Sequence, residues 1–214
     1  MKQVNYLQWK IFISVSLLLL SGHILAKQVS NNKQTAWIFV TSFYAVWLIL
    51  SLLLLLKVQD IKEMFSGSKN WTWNLVLIPV VILLVIFIFV PNLALIKWDY
   101  WLVLNCIICL VNPFMEEIYW RGLISKICSV PLISFLFSSL TFAASHTLLF
   151  GVNSPGVAGL IGFAGTFLVG SLFWLCYYKT KSLRGCVLNH FLLDLAGMAV
   201  FILANKAVLA PINS

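Results

Sequence analysis

The sequence predicts an all-α membrane protein, a polytopic bundle of about seven spanning helices within a single domain of 214 residues. Hydrophobic residues make up 62% of the chain and charged residues only 9%, whereas soluble domains average about 45–50% and about 25%. The hydrophobic residues form seven blocks, most of them near the ~20 residues that a helix needs to cross a bilayer. This composition excludes both a soluble globular fold and a disordered chain.

The seven blocks follow one another with short connections and no visible linker. The first block could be a cleaved signal peptide, but bulky Ile24 stands near the candidate cleavage point at Ala26, which favours a retained helix. Several blocks carry Trp or Tyr at an end, as is typical of the membrane interface. Their approximate bounds are 7–26, 37–56, 75–90, 100–115, 131–150, 157–178 and 185–204.

The net charge of +8 comes from lysines scattered singly between the apolar blocks. They form no basic patch, so nucleic acid is not expected as a partner. Nine positive residues fall in one set of loops and four in the other, which predicts a cytoplasmic N-terminus and an external C-terminus. The nine are Lys2, Lys10, Lys57, Lys62, Lys69, Lys126, Lys179, Lys181 and Arg184; the four are Lys27, Lys33, Lys97 and Lys206.

Three acidic residues, Glu116, Glu117 and Asp194, lie within apolar blocks or at their ends. An ionisable group at bilayer depth costs ~2.5–3.5 kcal/mol on insertion scales, so its default interpretation is functional. Glu117 and Arg121 are four residues apart and share a helix face, so each offsets the burial of the other. Glu116 points ~100° away from Glu117 and stays free for chemistry.

Two histidines, His146 and His190, also lie inside apolar blocks. His190 and Asp194 are four residues apart, so the carboxylate can orient the imidazole. His146 has no acid, base or amide within four residues, and its strong partner is therefore expected on another helix, with Glu116 as the free acid. We expect Glu116, His146 and His190 to converge on one polar cavity. A rise of ~1.5 Å per residue puts His146 ~7 Å deeper than Glu116, a difference that helix tilt or a dipping loop before the fifth block would close.

A stripe of glycines opens the sixth block and repeats every three residues. This spacing keeps them near one helix face and predicts close packing against another helix, with a substrate groove as the alternative. His23, near the outer end of the first block, is expected to be a bystander at the interface. The glycines are Gly156, Gly159, Gly162 and Gly165.

The three polar constellations together resemble the CAAX-type prenyl endopeptidases, also called the CPBP or Abi family of intramembrane proteases. The family pattern is EExxxR, then FxxxH, then HxxxN or HxxxD. The corresponding residues here are Glu116-Glu117 with Arg121, Phe142 with His146, and His190 with Asp194. The resemblance covers about residues 113–204, while residues 1–100 match only as apolar spans.

The resemblance implies an intramembrane protease, a multi-pass protein of a bacterial plasma membrane, acting on a peptide or lipidated protein. Glu116 would activate water with help from His146, while His190 and Asp194 would polarise the scissile carbonyl. In one version the site holds no metal and Glu116 is a general base. In the other, Glu116, His146 and His190 bind a single Zn²⁺ that acidifies the water. The sequence leaves both versions open.

Two other function classes stay open from the sequence. Intramembrane Glu, His and Asp can form the proton relay of a transporter subunit. Transporters usually show two related halves, whereas the buried polar groups here all follow Pro113. A non-catalytic bacteriocin-immunity or binding protein could also keep such a fold, an expectation that rests on analogy.

Overall fold

The computed structural model describes residues 2–31, 33–67, 70–92, 100–128 and 130–209, which form helices and turns with no strand among them. The all-helical prediction is confirmed. Two of the lysines used for the orientation, Lys69 and Lys97, lie outside the described residues. The orientation of the chain in the membrane stays a prediction.

The main helices follow the predicted blocks closely, and a short helix before the third block is added. In chain order they are α1 (Lys2–Gln28), α2 (Lys33–Leu55), α3 (Val58–Met64), α4 (Ile78–Leu84), α5 (Tyr100–Glu117), α6 (Pro131–Ser145), α7 (Gly159–Thr180) and α8 (Arg184–Leu209).

The predicted count of about seven spanning helices is not confirmed. Among the described residues, four helices are long and apolar enough to cross a membrane. The third block falls short because it is divided into a 3-10 turn, the short α4, a π turn and a final short helix. The four candidate spans are Tyr6–Gln28, Ala36–Leu55, Pro131–Phe150 and Gly159–Thr180.

Two helices change to π-helical geometry where the candidate site residues lie. α5 continues through a π turn, Ile118–Leu123, and then through a short α-helical segment, Ile124–Ile127. α6 continues through a second π turn, His146–Phe150, in which the Gly151 N–H donates to the His146 carbonyl at 2.8 Å. Such π turns are rare and often occur at functional sites.

Helix packing brings α5, α6 and α8 together around one centre. α6 packs along α7, α8 packs on α5 and α4, and α1 packs on α2 and on the π turn after α6. The largest apolar cluster joins α1, α2, α5 and α6, with Leu18, Leu48 and Phe142 among its buried members. The reversal from α7 to α8 takes only three residues, because Lys181 adopts a left-handed φ of 55°.

Candidate active site

A buried ion pair joins Glu117 and Arg121, as their spacing of four residues predicts. Arg121 Nη1 lies 3.1 Å from Glu117 Oε1, and both side chains are fully buried. Arg121 Nη2 donates to the Gly170 carbonyl of α7 at 3.2 Å. The guanidinium carbon lies 4.1 Å from the centre of the Phe142 ring and 5.0 Å from that of Phe173. The burial of the cation is thus offset by a carboxylate, a carbonyl and two aromatic faces.

Gly170 has to be glycine because the site closes tightly on α7. A Cβ atom at this position would lie 2.9 Å from the Phe142 ring and 3.2 Å from Arg121 Nη2. A side chain here would push the guanidinium away from Glu117. The sequence did not single out this glycine, which lies outside the three-residue repeat.

His190 is held by Glu117 as well as by Asp194. Its Nδ1 donates to Glu117 Oε1 at 2.8 Å, while its Nε2 lies 3.5 Å from Asp194 Oδ1. The ring also stacks on Phe173, with centroids 4.9 Å apart. The same Glu117 oxygen thus contacts both the Arg121 guanidinium and the His190 imidazole. The Nδ1 contact leaves Nε2 facing the remaining carboxylates.

His146 has one partner on its own helix and faces another across the site. Its Nδ1 donates to the Phe142 carbonyl at 2.9 Å, one helical turn earlier. A carbonyl oxygen only accepts, so the proton of the neutral ring lies on Nδ1. Its Nε2 is directed across the site and lies 3.9 Å from Glu116 Oε2.

Glu116 lies at the centre of the arrangement and is fully buried. Its Oε2 is 3.4 Å from His190 Nε2, in addition to the His146 contact. Neither of its oxygens has a hydrogen bond within the described residues. The structure thus brings Glu116, His146, His190 and Asp194 together, with Glu117 and Arg121 directly behind them.

A cavity of about 450 Å³ reaches this cluster from the apolar interior. Its wall includes Glu116, His146, His190 and Asp194, and most of its other side chains are apolar or small. Such a concave, largely apolar pocket with a few convergent polar groups is typical of a binding or active site.

Three glycines of the stripe, Gly156, Gly162 and Gly165, line this cavity, so the prediction of close helix packing was wrong at Gly165 and the alternative of a groove fits there. A Cβ atom on Gly165 would meet nothing within 4 Å, and Gly165 and Gly162 both line the cavity. Gly162 is instead approached by the Val157 backbone, which would collide with an added Cβ atom. The small residues leave room beside the polar cluster.

In the zinc version of the site, Glu116, His146 and His190 would supply the donor atoms. Within the described parts of the chain, no three His, Cys, Asp or Glu side chains are arranged to hold a metal ion. Glu116, His146 and His190, the ligand set that the resemblance offers for Zn²⁺, converge without forming such a group.

Contacts from the first two helices were not predicted from the sequence. Tyr44 of α2 is fully buried and accepts a hydrogen bond from Trp120 Nε1 at 2.9 Å. His23 of α1, expected to be a bystander, contacts the Leu148 carbonyl at 2.8 Å through Nδ1. The one signal for Tyr44 was a hydroxyl in the middle of an apolar block, because a buried tyrosine usually finds a hydrogen-bond partner.

Comparison with known families supports the resemblance seen in the motifs. Residues 96–196 match the family model described as type II CAAX prenyl endopeptidase Rce1-like, which covers just under half of the chain. Neither a curated protein nor a solved structure matches. The matched residues include every predicted site residue, and the matching model describes the same CAAX-type protease family that the motifs resemble.

Proposed function

We propose that the chain is an intramembrane endopeptidase in which Glu116 activates the water that hydrolyses a peptide bond. The observation that carries this proposal is the position of Glu116. It is a fully buried carboxylate without a hydrogen bond, it faces a cavity, and it lies beside two imidazole Nε2 atoms. A general base must lie within reach of the water from which it takes a proton, and a cavity next to Glu116 provides that place.

The reaction requires one proton to be taken from water and then given to the leaving amine. Glu116 accepts a proton from water, and the water oxygen forms a bond to the scissile carbonyl carbon. The protonated Glu116 then gives this proton to the leaving amine as the C–N bond breaks. His146, whose neutral ring has its free lone pair on Nε2, helps to orient the water.

The developing oxyanion needs a donor, and His190 is the best placed side chain. Its Nδ1 is fixed by Glu117 at 2.8 Å, so the ring cannot rotate without losing this bond. When Nε2 also carries a proton, it can donate to the oxyanion from a fixed position. Asp194, 3.5 Å from Nε2, balances the positive charge of this form. Glu117 and Arg121 position the ring and take no part in bond making.

The direct test is hydrolysis of a quenched fluorescent peptide that carries a prenylated CAAX tail, in detergent and in water enriched in ¹⁸O. We expect one new carboxylate that contains one ¹⁸O atom, and an unchanged rate when a chelator is present. A rate that disappears with chelator and returns with Zn²⁺ would contradict Glu116 as a direct base. No cleavage of prenylated or unmodified membrane peptides would count against the protease and favour the binding or relay functions.

A further inference from the structure

One face of α5 forms part of the wall of the cavity, and it carries an amide that the proposed reaction does not use. The wall residues of this helix are spaced so that they fall within about 100° of one another, which places Asn112 on the same face as Glu116. The two residues are one helical turn apart, or about 6 Å along the helix axis. The four wall residues of α5 are Ile108, Cys109, Asn112 and Glu116.

The half-buried Asn112 amide has no hydrogen bond to any of the described residues. Asn189 of α8 shows how this fold pairs an amide with a structural role. Its Nδ2 donates to the Gly185 carbonyl on its own helix at 2.7 Å and to the Asn74 carbonyl at 2.6 Å. Because an unpaired amide in apolar surroundings is costly, the Asn112 side chain on the cavity wall indicates a polar ligand.

A side-chain amide matches the main chain of a peptide. Its Oδ1 accepts and its Nδ2 donates, while one residue of an extended chain presents its N–H and C=O on the same side. An extended peptide in an apolar cavity has to pair these groups, because leaving them unpaired there is costly. The cavity also has room for a main chain, since a Cβ atom on Gly165 or Gly197 of its wall would meet nothing within 4 Å.

We propose that Asn112 is a substrate-binding residue whose amide pairs with the main-chain N–H and C=O of one residue of an extended peptide substrate. An extended chain advances about 3.3 Å per residue. The separation of about 6 Å between Asn112 and Glu116 therefore places the bound residue about two positions from the scissile bond. This inference rests on the proposed function, because the bound peptide is the substrate that Glu116 hydrolyses. It makes the cavity selective for extended main chains.

The first test is cleavage of the prenylated CAAX peptide by the full chain with Asn112→Leu, which keeps the approximate size of the side chain. We expect KM to rise about 10-fold with kcat nearly unchanged, because two hydrogen bonds to the substrate are lost while the reacting groups stay in place. Ser171→Ala is the control, since this hydroxyl donates to the Phe167 carbonyl at 2.7 Å and lies off the cavity wall. Its KM should match the wild type. An unchanged KM for Asn112→Leu would overturn the proposal.

Peptide analogues in which one amide is replaced by an ester test the pairing with the main chain, because an ester has no N–H. The wild type should bind one analogue about 3- to 10-fold more weakly than the parent peptide, with the ester about two residues from the scissile bond. Asn112→Leu should bind this analogue and the parent peptide equally, since the lost bond is already absent. The same loss of binding in both proteins would overturn the pairing.

Equilibrium binding to Glu116→Gln, which should not consume the peptide, separates this inference from the proposed protease. The Kd of the parent peptide should rise about 10-fold when Asn112→Leu is added, whether or not the wild type cleaves it. If the wild type does not cleave but this rise is observed, the protease fails and the peptide site stands. Absence of peptide binding would overturn the site, and so would a lower melting temperature for Asn112→Leu, which would show that the amide holds the fold.

Discussion

The two halves of the molecule differ in what they contribute to the candidate site. The matched residues 96–196 carry the acids, the imidazoles and the arginine, and the two π turns that contain Arg121 and His146. The helices α1 and α2 lie outside the matched segment, yet they contact the same π turns through His23 and Tyr44. This difference shows that motifs identify the reacting groups, while helices without motifs can contribute to holding these groups in place.

The largest expected effect is the loss of activity when either histidine of the matched segment is replaced. His146→Ala and His190→Ala should each reduce kcat/KM by about 10²- to 10⁴-fold, since each removes an imidazole that faces Glu116. The double variant should lose little more than either single one, because groups that act as a unit are not additive. Peptide cleavage rates measure both effects. Multiplicative losses would show that the two imidazoles work independently.

The ion pair behind the site should dominate folding stability. Arg121→Ala leaves Glu117 buried without its cation, which should lower the free energy of unfolding by about 3–5 kcal/mol. Thermal unfolding in detergent, together with folded yield, measures this loss. Arg184→Ala, which removes the chain's other arginine at the start of α8, is the control and should have a small effect. Equal losses in the two variants would mean that the pair has no special role.

The contact of α1 with the second π turn provides a test in the part of the chain outside the matched segment. A Cβ atom on Gly22 would lie 2.7 Å from Leu149 Cγ. Gly22→Ala should therefore cost about 1–3 kcal/mol by overpacking and lower the cleavage rate, since the same turn carries His146. Gly165→Ala, whose Cβ meets open space, is the matched control for melting temperature. A Gly22→Ala variant with wild-type melting temperature and rate would show that α1 does not hold this turn.

The smallest effect concerns the ion pair between the loop helix α3 and the end of the α5 segment. The hydrogen bond from Lys126, with one from the Lys57 backbone N–H, lowers the pKa of Asp60. Ionised Asp60 therefore stabilises the fold at pH values above its unfolded pKa of about 3.9, and this is lost as the pH falls through the lowered pKa. Asp60→Asn should cost about 0.2–1 kcal/mol near neutral pH, because the pair is partly exposed. The difference in melting temperature from the wild type should shrink below about pH 4; a difference that does not depend on pH would contradict this.

Periodicity and spacing predicted much of this arrangement. Apolar blocks gave the helices, and the separation of four residues gave the Glu117–Arg121 pair. The cost of a buried polar group led to the expectation that Glu116 and His146 approach each other, and they lie 3.9 Å apart. These features depend on local geometry or on burial, and both can be inferred from the sequence.

Other features depend on contacts between distant parts of the chain. Glu117 and His190 are 73 residues apart, and Tyr44 and Trp120 are 76 apart. No spacing rule relates such residues, because side-chain direction is set by how whole helices pack. The π turns could not be predicted either. The change from hydrogen bonds between residues four apart to hydrogen bonds between residues five apart leaves no signal in the composition. The glycine stripe was misread because small residues suit either a close helix or an open cavity.

Cleavage of the prenylated CAAX peptide by Glu116→Gln tests the central claim most directly, with Glu63→Gln as the matched control. Glu63 lies in α3, away from the cavity, and its variant should cleave at the wild-type rate. Glu116→Gln keeps the size of the side chain but cannot take a proton from water, so its rate should fall by about 10²- to 10⁴-fold while its melting temperature stays near or above that of the wild type. A Glu116→Gln protein that cleaves the peptide at the wild-type rate would contradict the account.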